Sequence, residues 1–342
     1  MKKIVALALF LALPAVADET AAKPSITFSG LAQIHARGFT GQSGPVAETP
    51  DSFLLRRAEI RITGTINPRI SGYISVDPAK QLNMGANGVS QSSNVLQEVV
   101  ISYQVSPKTY VDVGQFKIPV GYEGDLVSSS ALQNVERALL YQARDPQGGG
   151  QGDIRDTGIR VRTVAGPFEL HLGAFNGLGE RQNTTAVGDE KALVARALYN
   201  VKGVEGLRVG LSGGHASERS IGTAFAVYKQ GRATLQTEYA AGDHRYEPRG
   251  YYAHFGWALT PKIETTARYD VFDFDRNSVG DTVVRDVIVG ANYLLRGNNA
   301  KIQANLIHRD GGVNLVGGTF PSSAATFANS GTQLRVNFQV GF

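Results

Sequence analysis

The chain ends in Gln333-Leu334-Arg335-Val336-Asn337-Phe338-Gln339-Val340-Gly341-Phe342, and this stretch decides the fold. Apolar residues occupy every second position, while polar residues and one glycine occupy the positions between them. Successive side chains of a strand point to opposite faces of its sheet. The stretch therefore predicts a strand with one apolar face and one polar face.

The same period of two recurs along the body of the chain. Apolar and polar positions alternate over residues 57–66, 168–174, 263–270 and 300–306. Alternation of this kind is found in soluble β-sandwiches and in membrane barrels alike, so alone it does not separate them. We count about sixteen strand candidates, beginning near residues 26, 54, 70, 95, 109, 157, 168, 191, 207, 219, 232, 250, 263, 285, 300 and 332.

The connections between these candidates alternate in length. The short ones are Asn67-Pro68-Arg69, Ser106-Pro107-Lys108, Ala165-Gly166-Pro167, 200–206, Lys229-Gln230-Gly231, Thr260-Pro261-Lys262 and 295–299. Those between them, apart from the brief 213–218, are longer and rich in Gly, Ser and Asn: 40–52, 78–93, 118–155, 177–190, 243–249, 272–284 and 310–331. Short periplasmic turns and long extracellular loops are typical of a transmembrane barrel. Ending on Phe342 is typical of the last strand of a bacterial outer-membrane barrel. We therefore predict an all-β, transmembrane antiparallel β-barrel of about sixteen strands.

Aromatic residues near the strand ends fit the girdles that mark the two membrane interfaces of such a barrel. The candidates are Tyr103, Tyr199, Tyr239, Tyr252, Tyr269, Tyr293 and Phe338. Some of them are expected to be ordinary loop or core residues.

The start of the chain predicts export. Two lysines and a short apolar run precede Ala15-Val16-Ala17, which indicates a signal peptide over residues 1–17. The alternative is a buried first helix. Downstream no uninterrupted apolar stretch approaches a helical span, so any membrane crossing would use strands. We assign residues 18–342 to a single barrel domain.

Composition excludes several classes of function. The absence of cysteine excludes a disulfide scaffold, a thiolate metal site and a cysteine nucleophile. The formal net charge is +4, and without the two lysines of the leader it is +2, which does not suggest a nucleic-acid partner. The six histidines show no metal-ligand spacing, so we expect no metal and no cofactor.

The third long loop, residues 118–155, is expected to constrict the pore. A barrel of this size encloses a water-filled lumen. Within the loop Leu132, Val135 and Leu139 follow helical spacing, and Gly148-Gly149-Gly150 provides a flexible return. The alternative is a loop that stands above the rim.

Charge on the inward-facing positions leans basic. The cations are Arg57, Arg61, Arg160, Arg162, Arg196, Arg208, Arg232, Arg268, Lys301 and Arg335, and the acids are Glu59, Glu98, Asp112, Glu169, Glu238, Glu264 and Asp270. Rings of arginine or lysine select anions, and guanidinium groups suit contact with oxyanions. The alternative is that many of these cations form ion pairs along the wall, such as Arg57 with Glu59.

Several motifs resemble the phosphate-selective porin O/P family of bacterial outer-membrane porins. They are Phe53-Leu54-Leu55-Arg56-Arg57-Ala58-Glu59-Ile60-Arg61-Ile62-Thr63-Gly64, Val113-Gly114-Gln115-Phe116-Lys117-Ile118-Pro119-Val120-Gly121, Asn134-Val135-Glu136-Arg137, Arg155-Asp156-Thr157-Gly158-Ile159 and Gly173-Ala174-Phe175-Asn176-Gly177. The resemblance implies a sixteen-stranded homotrimeric outer-membrane channel. It also implies that Arg56, Arg57, Lys117 and Arg137 help to form an anion path.

Two features depart from that pattern. Adjacent strand residues face opposite sides, so Arg56 reaches the lumen only if a β-bulge or the end of the strand turns it inward. The long loops also hold few lysines, which favours a weakly anion-selective or general porin over a strict phosphate channel.

The sequence thus predicts an outer-membrane porin for passive diffusion of small hydrophilic solutes, with anions, phosphate among them, preferred. The expected partners are outer-membrane lipids, further copies in a homotrimer and small anionic solutes; no catalytic residues are expected. A non-selective general porin, an outer-membrane hydrolase and a structural barrel are the alternatives. The candidate pore-lining, anion-binding residues are Arg56, Arg57, Arg61, Lys117, Arg137, Arg160, Arg162, Arg196 and Arg268.

Overall fold

The computed structural model describes residues 23–82, 95–142, 154–178, 191–216, 219–243, 246–316 and 324–342. The predicted signal peptide, residues 1–17, lies outside the described residues. The same holds for residues 143–153 of the third loop, which include its three consecutive glycines.

The described part of the chain contains sixteen strands, and each begins within two residues of its predicted start. They are β1 (Ser25–Ser43), β2 (Ser52–Asn67), β3 (Ile70–Val76), β4 (Leu96–Ser106), β5 (Thr109–Lys117), β6 (Arg155–Ala165), β7 (Phe168–Phe175), β8 (Ala192–Asn200), β9 (Leu207–Ala216), β10 (Arg219–Gln230), β11 (Ala233–Asp243), β12 (Arg249–Thr260), β13 (Ile263–Asp273), β14 (Val283–Leu294), β15 (Ala300–Asp310) and β16 (Ser330–Gly341). The α-helices described are α1 (Ala79–Leu82) and α2 (Leu139–Gln142). No described helix has the length and apolar character needed to cross a membrane.

The strands form one closed antiparallel barrel in which each pairs with its neighbours in sequence. Closure occurs between β1 and β16, where the register runs from Leu31 opposite Gly341 to Ser43 opposite Ser330. A closed sheet has no edge, so neighbouring strands can pair the backbone groups of every strand. The predicted fold class is confirmed.

The last strand displays the two faces that its alternation predicts. Leu334, Phe338 and Val340 are each about half exposed on the outside, whereas Asn337 and Gln339 are buried on the inside. Apolar side chains therefore surround the barrel and polar side chains fill it, the reverse of a soluble protein.

Connection lengths sort between the two ends of the barrel as predicted. Pro68-Arg69, Pro107-Lys108 and Gly166-Pro167 each link two strands at one end. At the other end β5 and β6 are separated by residues 118–154, and β15 and β16 by residues 311–329.

One predicted girdle residue faces the other way. Tyr252 is fully buried inside the barrel, while its neighbour Tyr251 is exposed on the outside. Leu139, Leu140 and Tyr141 of α2 belong to the same buried apolar cluster as Tyr252. Tyr252 is therefore one of the core residues expected among the girdle candidates, because adjacent tyrosines on a strand face opposite sides and Tyr251 takes the outer one.

The helical spacing predicted for the third loop holds only at its end. Leu139 begins α2, but Leu132 and Val135 lie before it in irregular backbone. All three side chains are nevertheless buried. The apolar spacing of the loop therefore reflects packing inside the barrel more than helix formation.

Candidate pore constriction

The third loop, described over residues 118–142, crosses the inside of the barrel. Near its start, the backbone N–H of Gly121 donates to Oγ of Ser212 on β9 at 2.8 Å. Further along, the carbonyl of Ser130 accepts from Nε2 of Gln339 on β16 at 3.1 Å. The loop therefore contacts strands on widely separated parts of the wall.

Polar side chains of β15 hold the middle of the loop. The carbonyl of Leu132 accepts from Nζ of Lys301 at 2.6 Å and from Nε2 of Gln303 at 2.9 Å. The N–H of Val135 donates to Oδ1 of Asn305 at 2.7 Å. Loop backbone groups inside a barrel need such partners, because unpaired buried peptide groups are costly. These contacts explain why the inner face of β15 is polar.

Two of the predicted anion-path arginines are buried against the loop backbone. Arg268 on β13 exposes 1% of its side chain and donates to the carbonyls of Glu136 at 3.0 Å and Arg137 at 3.1 Å. Arg137 in turn donates to the carbonyls of Glu123 and Val127. Both guanidinium groups therefore stabilise the shape of the loop.

Arg196 and Lys117 fix the start of the loop. Arg196 on β8 also exposes 1% of its side chain, and it binds Asp125 of the loop and Glu169 of β7. Nζ of Lys117, at the end of β5, donates to the carbonyl of Gly124 at 2.7 Å. These two predicted residues also contact the loop directly.

Arg61 and Arg155 share the carboxylate of Glu98. Nη2 of Arg61 lies 3.0 Å from Oε2, and Nε of Arg155 lies 2.9 Å from Oε1. The guanidinium of Arg61 stacks on the ring of Tyr73 at 4.2 Å, and the Tyr73 hydroxyl donates to Oε2 at 2.8 Å. Stacking fixes the guanidinium plane while leaving its N–H edge available.

Arg160 and Arg162 repeat this arrangement around Asp112. Their nearest nitrogens lie 2.8 Å and 3.0 Å from Oδ2. Arg162 stacks on Tyr110 at 4.0 Å, and Arg160 stacks on Phe116 at 4.7 Å. We call Arg61, Arg155, Arg160 and Arg162 the arginine ladder.

The arginine ladder carries more charge than its two shared carboxylates compensate. Arg61 and Arg155 share Glu98, and Arg160 and Arg162 share Asp112, so the pair on Asp112 exceeds its carboxylate by one positive charge. Arg61 exposes 44% of its side chain and Arg162 exposes 35%. The ladder spans β2 to β6, so a positive strip lines this part of the wall.

A β-bulge places Arg56 and Arg57 together. Across from β2, Gln33 pairs with Arg57, and the next residue, Ile34, pairs with Leu55, so Arg56 is the extra residue of the bulge. Such a bulge re-aims a side chain without ending the strand. Arg57 is buried and donates to Oε1 of Gln33. It lies 3.5 Å from Glu59, so the ion pair considered in the sequence analysis is present.

Arg56 meets the third loop through Glu136. Its Nε donates to Oε1 at 2.7 Å and its Nη2 to Oε2 at 3.0 Å. Burial alone would raise the pKa of the Glu136 carboxyl, but Arg56 and the other nearby cations outweigh it and hold the pKa well below its usual value. The carboxylate is therefore charged at neutral pH.

Sequence reasoning missed Glu136 and the aromatic rings behind the ladder. Glu136 lies in a loop, where strand alternation gives no information about direction. Tyr73 and Tyr110 alternate like other strand residues, but their contacts depend on register between strands. Among the described residues, no group of three or more His, Cys, Asp or Glu side chains could hold a metal ion.

The model of the family described as phosphate-selective porin O and P matches residues 29–225. The match covers more than half of the chain and includes the third loop, the bulge at Arg56 and the arginine ladder. The chain belongs to this family. It is therefore an outer-membrane porin of a bacterium, with the fold of a channel.

Solved structures support the same fold. An anion-selective porin from Comamonas acidovorans matches with a TM-score of 0.65 at 13% identity, over 94% of this chain and 100% of that one. The trimer form of OmpT from Vibrio cholerae matches with a TM-score of 0.60 at 11% identity, over 94% and 100%. The outer-membrane channel DcaP of Acinetobacter baumannii matches with a TM-score of 0.59 at 11% identity, over 94% and 98%. A comparison with the sequences of curated proteins finds no match.

Proposed function

We propose that this porin passes small hydrophilic solutes by passive diffusion and prefers anions, phosphate among them. The observation that carries the proposal is the arginine ladder, where four guanidinium groups share two carboxylates. A net positive strip attracts anions and repels cations within a Debye length, which at physiological salt is about 8 Å. No enzymatic step, metal or cofactor is part of the proposal.

Different predicted residues have different roles in this proposal. Arg56, Arg61, Arg160 and Arg162 contact the passing anion, because each combines a fixed guanidinium with some exposure. The remaining candidates do not contact the solute, since they hold the third loop or lie buried in the wall: Arg57, Lys117, Arg137, Arg196 and Arg268. They set the shape of the lumen instead.

The third loop is the constriction in this proposal. The loop's contacts with β9, β15 and β16 support this role. Fixed loop contacts also favour a permanently narrowed channel over a lid that opens.

Liposome swelling with solutes of matched size tests the preference. Glucose, glucuronate and glucosamine differ in charge but little in volume. We expect glucuronate to enter fastest and glucosamine slowest at low ionic strength, with the differences shrinking in high salt as charges are screened. Equal rates for all three solutes would instead indicate a general porin.

We also propose that the porin works as a homotrimer surrounded by outer-membrane lipids. The structurally similar OmpT of Vibrio cholerae has a trimer form, and apolar side chains such as Phe28 and Ile62 are exposed outside the barrel of this chain. Native mass spectrometry from detergent would give three times the chain mass. A monomer mass under conditions that preserve the folded barrel would contradict the trimer.

Export completes the proposal. We propose that residues 1–17 are removed before insertion, as their pattern predicts. The intact mass of porin purified from outer membranes would then correspond to a chain that starts at Asp18.

A further inference from the structure

Two guanidinium groups and one imidazole, from three strands, converge on the carboxylate of Glu136. Arg56 on β2 donates a hydrogen bond to each of its two oxygens, as described above. Nδ1 of His35 on β1 and Nη1 of Arg335 on β16 each lie 3.7 Å from Oε1. The wall thus supplies two arginines and a histidine, and the loop supplies the anion.

This arrangement has the geometry with which proteins bind a free oxyanion. A two-point guanidinium contact fits a carboxylate or a phosphate equally well, because both present two oxygens at the required spacing. The β-bulge that turns Arg56 toward this point is a local distortion of β2, and such bulges often lie beside binding sites.

We propose that Arg56, Arg335 and His35 form an oxyanion-binding site and that Glu136 is its resident, tethered ligand. An oxyanion solute takes the place of the Glu136 carboxylate during passage, and the carboxylate returns when the solute leaves. This inference rests on the anion passage proposed above, and it names the residue that sets how tightly the channel holds its solute.

Exposure makes the exchange feasible. Glu136 exposes 10% of its side chain, whereas Arg56 exposes 31%, so a solute can reach the guanidinium beside the bound carboxylate. A channel conducts only if its sites release the ion quickly. A tethered competitor provides that release, because it lowers the apparent affinity for every free oxyanion.

Glu136→Gln tests the proposal directly. Single-channel chloride currents are recorded at neutral pH while inorganic phosphate is added. With the competing charge gone, phosphate should bind the vacated cations and block the current, and the half-blocking concentration should fall at least about tenfold, as expected for a charge-assisted hydrogen-bond pair. An unchanged half-blocking concentration would overturn the proposal.

Glu59→Gln is the matched control. It removes the same charge from the adjoining wall, next to Arg57 and away from the two-point contact of Arg56 with Glu136. It should leave the phosphate concentration for half block close to the wild-type value. Equal sensitisation by both variants would mean that net charge alone is responsible, and the tethered-ligand proposal would be wrong.

Glu136→Asp provides a second variant that keeps the charge in the loop. Its shorter side chain weakens the two-point contact, so phosphate block should lie between wild type and Glu136→Gln. If Glu136→Gln yields no folded channels, this variant decides: increased block supports the proposal and unchanged block overturns it.

The wild-type zero-current potential, measured in the same bilayers, separates this inference from the proposed function. An anion-selective wild type with a phosphate-insensitive Glu136→Gln would overturn the tethered ligand alone. A cation-selective wild type with a phosphate-sensitive variant would overturn the proposed preference and leave the binding site standing.

Discussion

The ring of Phe342 lies on the α-carbon of Gly30, where the last strand meets the first. A β-carbon added at Gly30 would lie only 2.4 Å from Cζ of Phe342. The two residues also exchange backbone hydrogen bonds, at 2.8 Å from Gly30 N–H and at 3.1 Å from Phe342 N–H. At the junction that closes the barrel, the ring of Phe342 therefore occupies the space that a side chain at position 30 would fill.

Filling this space should destabilise the closed barrel. Gly30→Val would push the exposed Phe342 ring off the strand junction, so the contact between the two residues would be lost. Gly64→Val is the control, because a β-carbon at Gly64 meets no atom within 4 Å. The free energy of unfolding in denaturant should be lower than that of the wild type for Gly30→Val only. Equal losses would contradict the seating of Phe342.

Removing a shared carboxylate should strengthen anion preference. Asp112→Asn removes the negative charge that Arg160 and Arg162 share, so the strip becomes more positive. The chloride-to-potassium permeability ratio should rise. Asp310→Asn removes the same charge from the Arg285 pair on the outer face and should leave the ratio unchanged. A rise in both variants would locate the effect in overall charge instead of the lumen.

The contacts of Arg268 predict how firmly the loop is held. Nε of Arg268 lies 3.0 Å from Oδ1 of the fully buried Asp270. Replacing Arg268 alone would leave this carboxylate uncompensated, at a cost of about 3–5 kcal/mol. The pair Arg268→Met with Asp270→Leu removes both charges and should still fold. Its currents should flicker more than those of the wild type, because the carbonyls of Glu136 and Arg137 lose their donor. Steady currents of wild-type size would show that these bonds do not restrain the loop.

The lowered pKa of Glu136 predicts a specific acid dependence. A carboxyl with a folded pKa below its usual 4.5 stabilises the fold above pH 4.5 and loses that contribution as pH falls through the folded value. Wild type should therefore exceed Glu136→Gln in denaturant stability at pH 6, and the difference should shrink at pH 3. Conductance should not change through this group between pH 5 and 8. A stability difference that grows in acid would contradict the Arg56–Glu136 contact.

Strand positions could be predicted because each strand carries its own signal. The alternation in residues 333–342 depends only on the pleat, and turns such as Pro68-Arg69 mark strand ends locally. A bulge at Arg56 was required if two adjacent arginines were to face one side, and the structure has it.

The arrangement of the candidate site could not be predicted in the same way, because it depends on contacts between residues far apart in sequence. Arg61 and Arg268 were both predicted to face the lumen, yet one is half exposed and the other is covered by the third loop. The loop decides which arginines the solute can reach, and its path is set by distant partners such as Lys301 for Leu132. Glu136 belongs to a recognised motif, but its role depends on Arg56, eighty residues away in sequence.

The most direct measurement of the central claim is the zero-current potential across a planar bilayer under a potassium chloride gradient. The arginine ladder predicts a potential of anion-selective sign, which should move toward zero when Arg61→Gln and Arg162→Gln are combined. A wild-type potential near zero or of cation-selective sign would contradict anion preference, while leaving the barrel and its channel in place.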